Sequence, residues 1–268
     1  MTSRGRNALL AVFGATILIS SANAQAPDGI MVYSRIANWQ IARSNWEAYT
    51  DDLKKNTLPV LEKLLADGVV TEYGLASAAI HTPDGYTHTT WYSSQTIGGL
   101  EKALAALLAA DKKLPAAERR RADTDFAGTK HSDLLVRSRV VRGGTTKLTT
   151  GYITVGTDQI QPGKTQAYDE RFEKVLRPIV EPLVASGAVI SYGIDTEFIH
   201  TADPMMRNRW YLVPNADGLD KVAAAVKAFT DKQTPSEREA SDKASQEILV
   251  GSAHRDELWE ITAYASKY

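Results

Sequence analysis

The feature that most constrains the fold is a long internal repeat. The stretch from Gly68 to Trp91 (GVVTEYGLASAAIHTPDGYTHTTW) aligns without a gap on the stretch from Gly187 to Trp210 (GAVISYGIDTEFIHTADPMMRNRW), at a shift of about 119 residues. The matched positions include Gly68/Gly187, Tyr73/Tyr192, Gly74/Gly193, His81/His200 and Trp91/Trp210. A chain that contains one unit twice has to be explained first by the fold of that unit.

The N-terminal segment has a different character. Two arginines precede an apolar run from Ala8 to Ser20, and the small-residue triplet Ala22-Asn23-Ala24 follows it. This pattern is typical of a secretory signal peptide. We therefore expect residues 1–24 to be a signal peptide cleaved after Ala24, and the protein to be periplasmic or secreted.

Composition excludes several classes of function. The 268 residues include 31 basic and 32 acidic ones, so no excess of positive charge would attract nucleic acid or an anionic membrane. After residue 24 no segment approaches the roughly 18 continuous apolar residues of a membrane span. The chain has no cysteine, which excludes disulfides and a thiol nucleophile. We expect no nucleic-acid partner and, after signal cleavage, no membrane association.

Each copy of the repeat predicts the same order of elements, β-α-β-β-α-β. In the first copy the predicted elements are a strand at Ile30 to Trp39, a helix from Trp46 to Asp67-Gly68, a hairpin of Val69 to His81 and Tyr86 to Ser94, a helix at Gly98 to Ala110 with an extension at Pro115 to Asp125, and a strand at His131 to Arg142. Pro59, repeated as Pro178, predicts a kink in the long helix near Thr57. We place the first repeat at 25–143 and the second at 144–268.

A β-α-β-β-α-β unit is ferredoxin-like, an α+β fold whose antiparallel sheet carries both helices on one face. Two units can cover their bare faces by packing them together into a barrel. The paired units, the hairpin after a long helix and the aromatic pair Trp91/Trp210 resemble the dimeric α/β-barrel superfamily, in a tandem single-chain form. That superfamily includes cofactor-independent monooxygenases, haem-binding peroxidase-like and chlorite-degrading enzymes, and small-lactone isomerases. No signature here selects one subfamily.

The candidate catalytic residues are two repeated His-x-Asp motifs. They are His131 with Asp133 in the first copy and His254 with Asp256 in the second. Residues two apart on a strand share a face, so each histidine has a carboxylate beside it. Such a pair suits an acid–base group or part of a metal site, and it equally suits a structural anchor at the barrel rim.

The candidate ligand-binding residues come from the repeated hairpin. They are Tyr73, His81, Trp91, Tyr192, His200, Arg207 and Trp210. The tyrosines and histidines share one strand face, which lines the barrel in one arrangement and faces the helices in the other. Tryptophan and tyrosine alternate on the third strand of each copy, so one aromatic of each pair faces the interior. The second copy is more cationic at Arg207 and Arg209, which suits an anionic or oxygen-rich group.

These observations support one leading hypothesis and two alternatives. The leading hypothesis is an exported protein that binds a small organic molecule in an aromatic-lined cavity between the repeats. One alternative is a monooxygenase-like or isomerase-like enzyme in which a His-x-Asp pair is the general acid or base for a phenol-like or enolisable substrate, with haem dependence a weaker variant. The other is a structural module with no ligand. We expect no cofactor and no metal site, and a homodimer as the candidate assembly.

Overall fold

The computed structural model of the chain describes residues 29–125, 130–142, 144–199 and 205–267. The expected signal peptide lies outside these ranges. The first half contains β1 (Ile30–Trp39), α1 (Trp46–Asp52), α2 (Leu58–Ala66), β2 (Glu72–Ala78), β3 (His88–Ser94), α3 (Ile97–Asp111), α4 (Ala116–Asp125) and β4 (His131–Arg142). The second half contains β5 (Thr146–Leu148), β6 (Tyr152–Gln159), α5 (Thr165–Arg171), α6 (Arg177–Ala185), β7 (Ser191–Glu197), β8 (Met206–Val213), α7 (Ala216–Asp231), α8 (Pro235–Ile248) and β9 (Arg255–Ser266).

Eight antiparallel strands close into one barrel within a single chain. The first repeat supplies the order β2-β3-β1-β4 and the second supplies β7-β8-β6-β9. Strand β4 pairs with β7, and β9 pairs with β2, so each repeat closes the sheet of the other. The short strand β5 adds to β9 outside this cycle. The α+β class and the barrel expected from the repeat are both confirmed.

Side chains alternate along each strand between the barrel interior and the surrounding helices. Beneath the helices each repeat has an apolar core of its own, which contains Tyr73, Leu75 and Leu61 in the first repeat and Tyr192, Ile194 and Val180 in the second. The opposite strand faces of both repeats meet in the interior. The interior is therefore built by both copies together.

The repeated prolines mark an irregular turn in each long helix. Helices α1 and α2 are joined by a π-helical turn at Leu53–Thr57, and α5 and α6 by a matching turn at Phe172–Leu176. The kink predicted near Thr57 is confirmed, because Pro59 lacks the N–H that would continue the regular ladder. The helices then end at Gly68 and Gly187, whose φ angles of +72° and +75° suit glycine.

The hairpin strands are shorter than the sequence pattern predicts. Strand β2 ends at Ala78 and β3 begins at His88, so His81 lies in the connecting loop. Strand β5, which the pattern treats as part of the link between repeats, was not expected. No helix in the described ranges is both long enough and apolar enough to span a bilayer.

Candidate functional site

The barrel encloses a small cavity, which we call the interior cavity. Its volume is about 130 Å³. Three indoles line it, from Trp91, Trp210 and Trp259, together with Tyr264 and aliphatic side chains. The alternation of the third strand thus directs the tryptophan of each copy inward, while Tyr92 lies in the apolar core under the helices. The interior is aromatic-lined, as the leading hypothesis expects.

A repeated glycine makes room for each inward tryptophan. A Cβ atom on Gly74 would lie 2.0 Å from the Trp91 ring, and one on Gly193 would lie 2.8 Å from the Trp210 ring. Neither distance is possible between non-bonded carbons. The repeated Tyr-Gly dipeptide is therefore a packing requirement of the indole on the adjacent strand.

Two carboxyl groups are buried in the interior cavity and are linked by serine hydroxyls. Glu72 accepts hydrogen bonds from Ser93 (2.8 Å) and from the Tyr264 hydroxyl (3.2 Å). Ser34 contacts Ser93 at 2.8 Å and Ser138 at 3.4 Å. The chain of hydroxyls ends at Asp195, which accepts from Ser138 and from the Trp210 indole N–H at 2.9 Å. Burial raises the pKa of Asp195 to about 6, and the nearby Glu72 charge adds to this effect.

A second cavity of about 330 Å³ lies outside the barrel, between the sheet of the second repeat and its long helix. We call it the second-repeat pocket. It is lined by Asp158, Tyr168, Arg171, Phe172, Val175, Leu176, Arg209, Leu249 and His254. Three of these residues belong to the π-helical turn at Phe172–Leu176, so the irregularity that the proline imposes also shapes the wall of the pocket.

His254 lies between two carboxylates at this pocket. Its Nδ1 is 2.8 Å from Asp158, and its Nε2 is 3.2 Å from Asp256. Asp158 is buried, with 3% of its side chain exposed, whereas 60% of the Asp256 side chain is exposed. The predicted pair His254/Asp256 is thus brought together, and a third partner, Asp158, holds the imidazole from the protein side.

Asp158 is also the centre of a wider polar network. It forms an ion pair with Arg209 and accepts a hydrogen bond from the Tyr168 hydroxyl at 2.9 Å. Burial by itself would raise the pKa of the Asp158 carboxyl. The charge of the guanidinium and the hydrogen bonds that Asp158 accepts outweigh burial and hold that pKa below its ordinary value. Burial, and then the Asp158 charge, raises the pKa of Tyr168, so the phenol stays protonated as a donor.

The matching place in the first repeat has a different chemistry. Trp39 takes the position of Asp158, and its ring stacks on the His131 imidazole with ring centres 3.7 Å apart. His131 lies 3.4 Å from Asp133, which also pairs with Arg35 at 3.1 Å. The predicted pair His131/Asp133 therefore exists, but it lies on the outer face against an indole and has no buried carboxylate as a second partner among the described residues.

The predicted ligand residues Tyr73 and Tyr192 lie apart from both cavities. Tyr73 and Tyr192 face the helices, where burial, with Glu62 nearby, raises the pKa of Tyr73 to about 12. Both tyrosines lie on the strand face opposite to that of Glu72 and Asp195, which line the interior cavity. Of the two arrangements that the sequence left open, the structure therefore has the one in which the tyrosines face the helices. Their partners in this layer are repeated too, because Tyr192 lies 3.4 Å from Glu181, the counterpart of Glu62.

Of the two predicted histidines of the hairpin, the structure describes only His81, which does not line either cavity. His81 is exposed and packs edge-on against Trp46, and His200 lies outside the described residues. Arg207 is buried on the outer face of β8 and donates to the Met206 carbonyl at 2.9 Å. Its neighbour Arg209, two residues along the same face, is the arginine that lines the second-repeat pocket.

Sequence reasoning did not select Asp158, Glu72 or Asp195 as site residues. The sequence does mark Asp158 as unusual, because the repeat alignment places this carboxylate at the position that Trp39 has in the first copy. Glu72 and Asp195 are acidic residues in the middle of predicted strands, where a charge is unusual. In the described ranges, no group of three or more His, Cys, Asp or Glu side chains is arranged to hold a metal ion.

Comparison with known proteins gives matches of structure only. No protein-family model and no curated protein matches the chain. A candidate monooxygenase from Fusobacterium nucleatum subsp. nucleatum ATCC 25586 aligns with a TM-score of 0.57 and 9% identity, over 89% of this chain and 95% of the other. The chain has the dimeric α/β-barrel fold.

Two further structures show the same likeness across both repeats. A candidate monooxygenase from Lactobacillus acidophilus NCFM aligns with a TM-score of 0.56 and 12% identity, over 88% of this chain and 97% of the other. An anthrone oxidase-like protein aligns with a TM-score of 0.50 and 12% identity, over 90% and 94%. At these identities the likeness establishes the fold, and the activity has to be argued from the residues.

Proposed function

We propose that this protein is an enzyme of general acid–base type that removes a proton from a phenol-like or enolisable small molecule in the second-repeat pocket. The observation that carries the proposal is the placement of the His254 imidazole between a buried and an exposed carboxylate at the edge of that pocket. We also propose that the protein acts outside the cytoplasm, on the basis of its N-terminal sequence.

The buried carboxylate orients the base. Asp158 accepts the Nδ1–H of His254, so the proton that the imidazole takes up and gives back is the one on Nε2. Asp256 lies beside Nε2, where it stabilises the positive charge of the imidazolium once the proton has arrived. Because Asp256 is largely exposed, it can turn aside for a substrate, whereas Asp158 is fixed by three partners.

The rest of the pocket suits the anion that proton removal creates. Arg209 and Arg171 line the cavity, so a phenolate or enolate oxygen has guanidinium groups within the same pocket. The pKa of Arg209 is raised, because the attraction of Asp158 outweighs the effect of burial, and the group stays charged. The walls from Phe172, Val175 and Leu176 are apolar and suit a flat ring.

The structural neighbours support this class of chemistry. Two of them are described as monooxygenase candidates and one as anthrone oxidase-like. Anthrone is an enolisable ketone whose C10 anion is an aromatic phenolate, which is the kind of anion the pocket would stabilise. It is therefore a suitable first probe.

The test is deuterium exchange at C10 of anthrone, followed by NMR under argon so that proton removal is measured without oxidation. We expect the protein to accelerate exchange over buffer and His254→Ala to lose about 100-fold or more of that acceleration. The matched control is His131→Ala, the repeat-related histidine on the first-repeat surface, which should retain it. Equal rates for the His254 variant and the unmodified protein would reject the role of the imidazole.

A second measurement keeps the test independent of anthrone. Binding of 4-nitrophenol, at a pH where the free phenol is mostly protonated, should raise the phenolate absorbance, and Arg209→Gln should abolish this rise. If neither exchange nor phenol ionisation occurs, the acid–base proposal fails.

A second candidate function is ligand binding in the interior cavity. The observation that favours it is the convergence of three indoles from both repeats on one enclosed space. It concerns a different part of the molecule and does not depend on His254.

A further inference from the structure

We infer that the interior cavity is a binding site for a small organic cation, an ammonium group carried on a single ring. This inference deepens the second candidate function, ligand binding inside the barrel, and is independent of the acid–base pocket. It rests on the charge, the aromatic surface and the size of the cavity.

The charged side chains that line the interior cavity are mostly acidic. Arg255 and Glu257 lie close together, 3.4 Å apart, and the Arg255 side chain is 63% exposed, so this pair lies towards solvent. The deep carboxyl groups belong to Glu72 and Asp195, which are 3% and 6% exposed. The Arg255–Glu257 pair has no net charge, so the buried carboxyl groups of Glu72 and Asp195 determine the negative potential inside the cavity.

Asp195 has neutral hydrogen-bond donors. They are the Trp210 indole N–H and the Ser138 hydroxyl, and the carboxyl group forms no ion pair with any residue in the described ranges. A buried carboxylate in this setting gains strongly from a cation placed beside it, because the interior screens charge poorly. The nearby Glu72 carboxyl increases the negative potential that such a cation would experience.

The aromatic lining adds a second attraction for the same class of ligand. Indole is the best of the aromatic faces for a cation, and Trp91, Trp210 and Trp259 all border the cavity. A bound ring would at the same time pack against these indoles and against Tyr264. Carboxylates and indoles together favour a cation over a neutral or anionic molecule of equal shape.

The volume limits the ligand to about one ring. The interior cavity measures about 130 Å³, against about 330 Å³ for the second-repeat pocket. A protein cavity of about 150 Å³ holds one benzene molecule. The two cavities therefore select ligands of different size as well as of different charge.

The serine chain gives both buried carboxyl groups hydrogen-bond partners within the protein. Hydroxyls of Ser93, Ser34 and Ser138 connect the two carboxyl groups, and a hydroxyl can rotate to donate or to accept. The chain keeps both carboxyls hydrogen-bonded before a ligand arrives, and its donors can turn when a bound ammonium group takes their place.

The test compares three probes of matched shape: benzylammonium, benzyl alcohol and benzoate. Binding to the full chain is measured by calorimetry and by the fluorescence of the interior tryptophans. We expect benzylammonium to bind on the order of tenfold or more tightly than benzyl alcohol, and benzoate not to bind. Asp195→Asn, which keeps the acceptor for the Trp210 N–H, should remove the preference for the cation. Asp133→Asn, on the outer surface, is the matched control and should preserve it.

If benzyl alcohol binds as tightly as benzylammonium, the interior remains a ligand site and the cation inference is wrong. If none of the three probes binds at millimolar concentration, the interior site itself is rejected, and the acid–base proposal is unaffected. If Asp158→Asn abolishes benzylammonium binding while Asp195→Asn does not, the cation occupies the second-repeat pocket and the inference is overturned. The comparison of probes on the unmodified protein needs no variant to fold.

Discussion

Asp158 in the second repeat occupies the same place on the barrel as Trp39 in the first. Each residue lies beside the closing-strand histidine of its own repeat, and the contact is a 2.8 Å hydrogen bond to His254 in one case and a stacked ring on His131 in the other. The same backbone position thus presents a carboxylate hydrogen-bonded to a histidine in one copy and an indole stacked on a histidine in the other. Among the described residues, a histidine between two carboxylates is therefore a feature of the second repeat that the matching place in the first repeat lacks.

The first prediction concerns Gly156, which lies beneath that pocket on β6. A Cβ atom there would be 2.8 Å from the Arg209 guanidinium carbon and 2.9 Å from an Asp256 oxygen. Both contacts are with the ends of flexible side chains, so Gly156→Ala should change the free energy of unfolding by less than about 1 kcal/mol. It should nevertheless displace the guanidinium and lower the anthrone exchange rate by about tenfold or more.

The control for this prediction is Gly98→Ala, because a Cβ built at Gly98 has no described atom within 4 Å apart from its neighbours in the chain and the backbone of its own helix. Exchange rates and thermal unfolding are measured for both variants. A Gly156→Ala protein with full activity would show that the position of Arg209 does not matter to proton removal.

The second prediction separates the two inward tryptophans. Gly74→Ala should destabilise the protein by about 1–3 kcal/mol, because the new methyl group overlaps the Trp91 ring. The same change should cost much less in a Trp91→Leu background. Gly193→Ala should stay costly even with Trp210→Leu, because its methyl group also meets the Arg139 carbonyl oxygen at 2.8 Å.

A double-mutant cycle in urea measures both coupling energies. Strong coupling at the Gly74 pair and weak coupling at the Gly193 pair is the expected result. Equal coupling at the two pairs would contradict the difference in packing.

The repeat made the fold predictable, whereas the site depended on where the copies differ. Two β-α-β-β-α-β units with bare sheet faces leave few ways to bury those faces, and Pro59 and Pro178 mark the helical irregularities. The repeat could not show which face of each strand points into the barrel. The odd positions of β2 carry Tyr73 and Leu75, which suit either an interior or a helix-facing layer.

The polar network around Asp158 could not be predicted from the sequence, for a further physical reason. Along the chain, Asp158 is 10 residues from Tyr168 and 96 residues from His254. The three side chains meet only when β6, α5 and the start of β9 are assembled. A sequence motif records neighbours along a strand, such as His254 and Asp256, and does not record partners across the sheet. The chain of serine hydroxyls runs across three strands of the first repeat and ends at Asp195 in the second, so no motif along one strand records it.

The third prediction concerns Asp195 and pH. Its pKa in the folded protein is about 6, raised from 3.8 chiefly by burial, so the folded state holds a proton that the unfolded state has lost between about pH 4 and pH 6. This group therefore lowers stability as pH rises through that window, by up to about 3 kcal/mol. Asp195→Asn should remove this loss and be the more stable protein at pH 7.

Urea unfolding of both proteins from pH 4 to pH 8 provides the measurement. The stability difference between variant and unmodified protein should increase from pH 4 to pH 6 and then level off. A difference independent of pH would show that the carboxyl group does not titrate in this range.

The fourth prediction concerns His88, whose titration changes the stability in the direction opposite to that of Asp195. His88 is 2% exposed and burial lowers its pKa to about 4, although Thr87 and Thr50 hydrogen-bond its two nitrogens at 3.0 and 3.3 Å. The unfolded state therefore binds a proton between about pH 6.5 and pH 4 that the folded state does not bind. Stability from this group is present above pH 6.5 and is lost on acidification, by up to about 3 kcal/mol.

Because the two groups act in opposite directions over an overlapping range, each masks the other in the unmodified protein. His88→Gln should leave the Asp195 effect exposed and make the protein relatively more stable as the pH falls from 6 to 4. Asp195→Asn should leave the His88 effect and do the reverse, and the double variant should show little dependence of stability on pH from either group. If both single variants change in the same direction with pH, at least one of these buried groups titrates in the opposite sense to the one that its burial imposes.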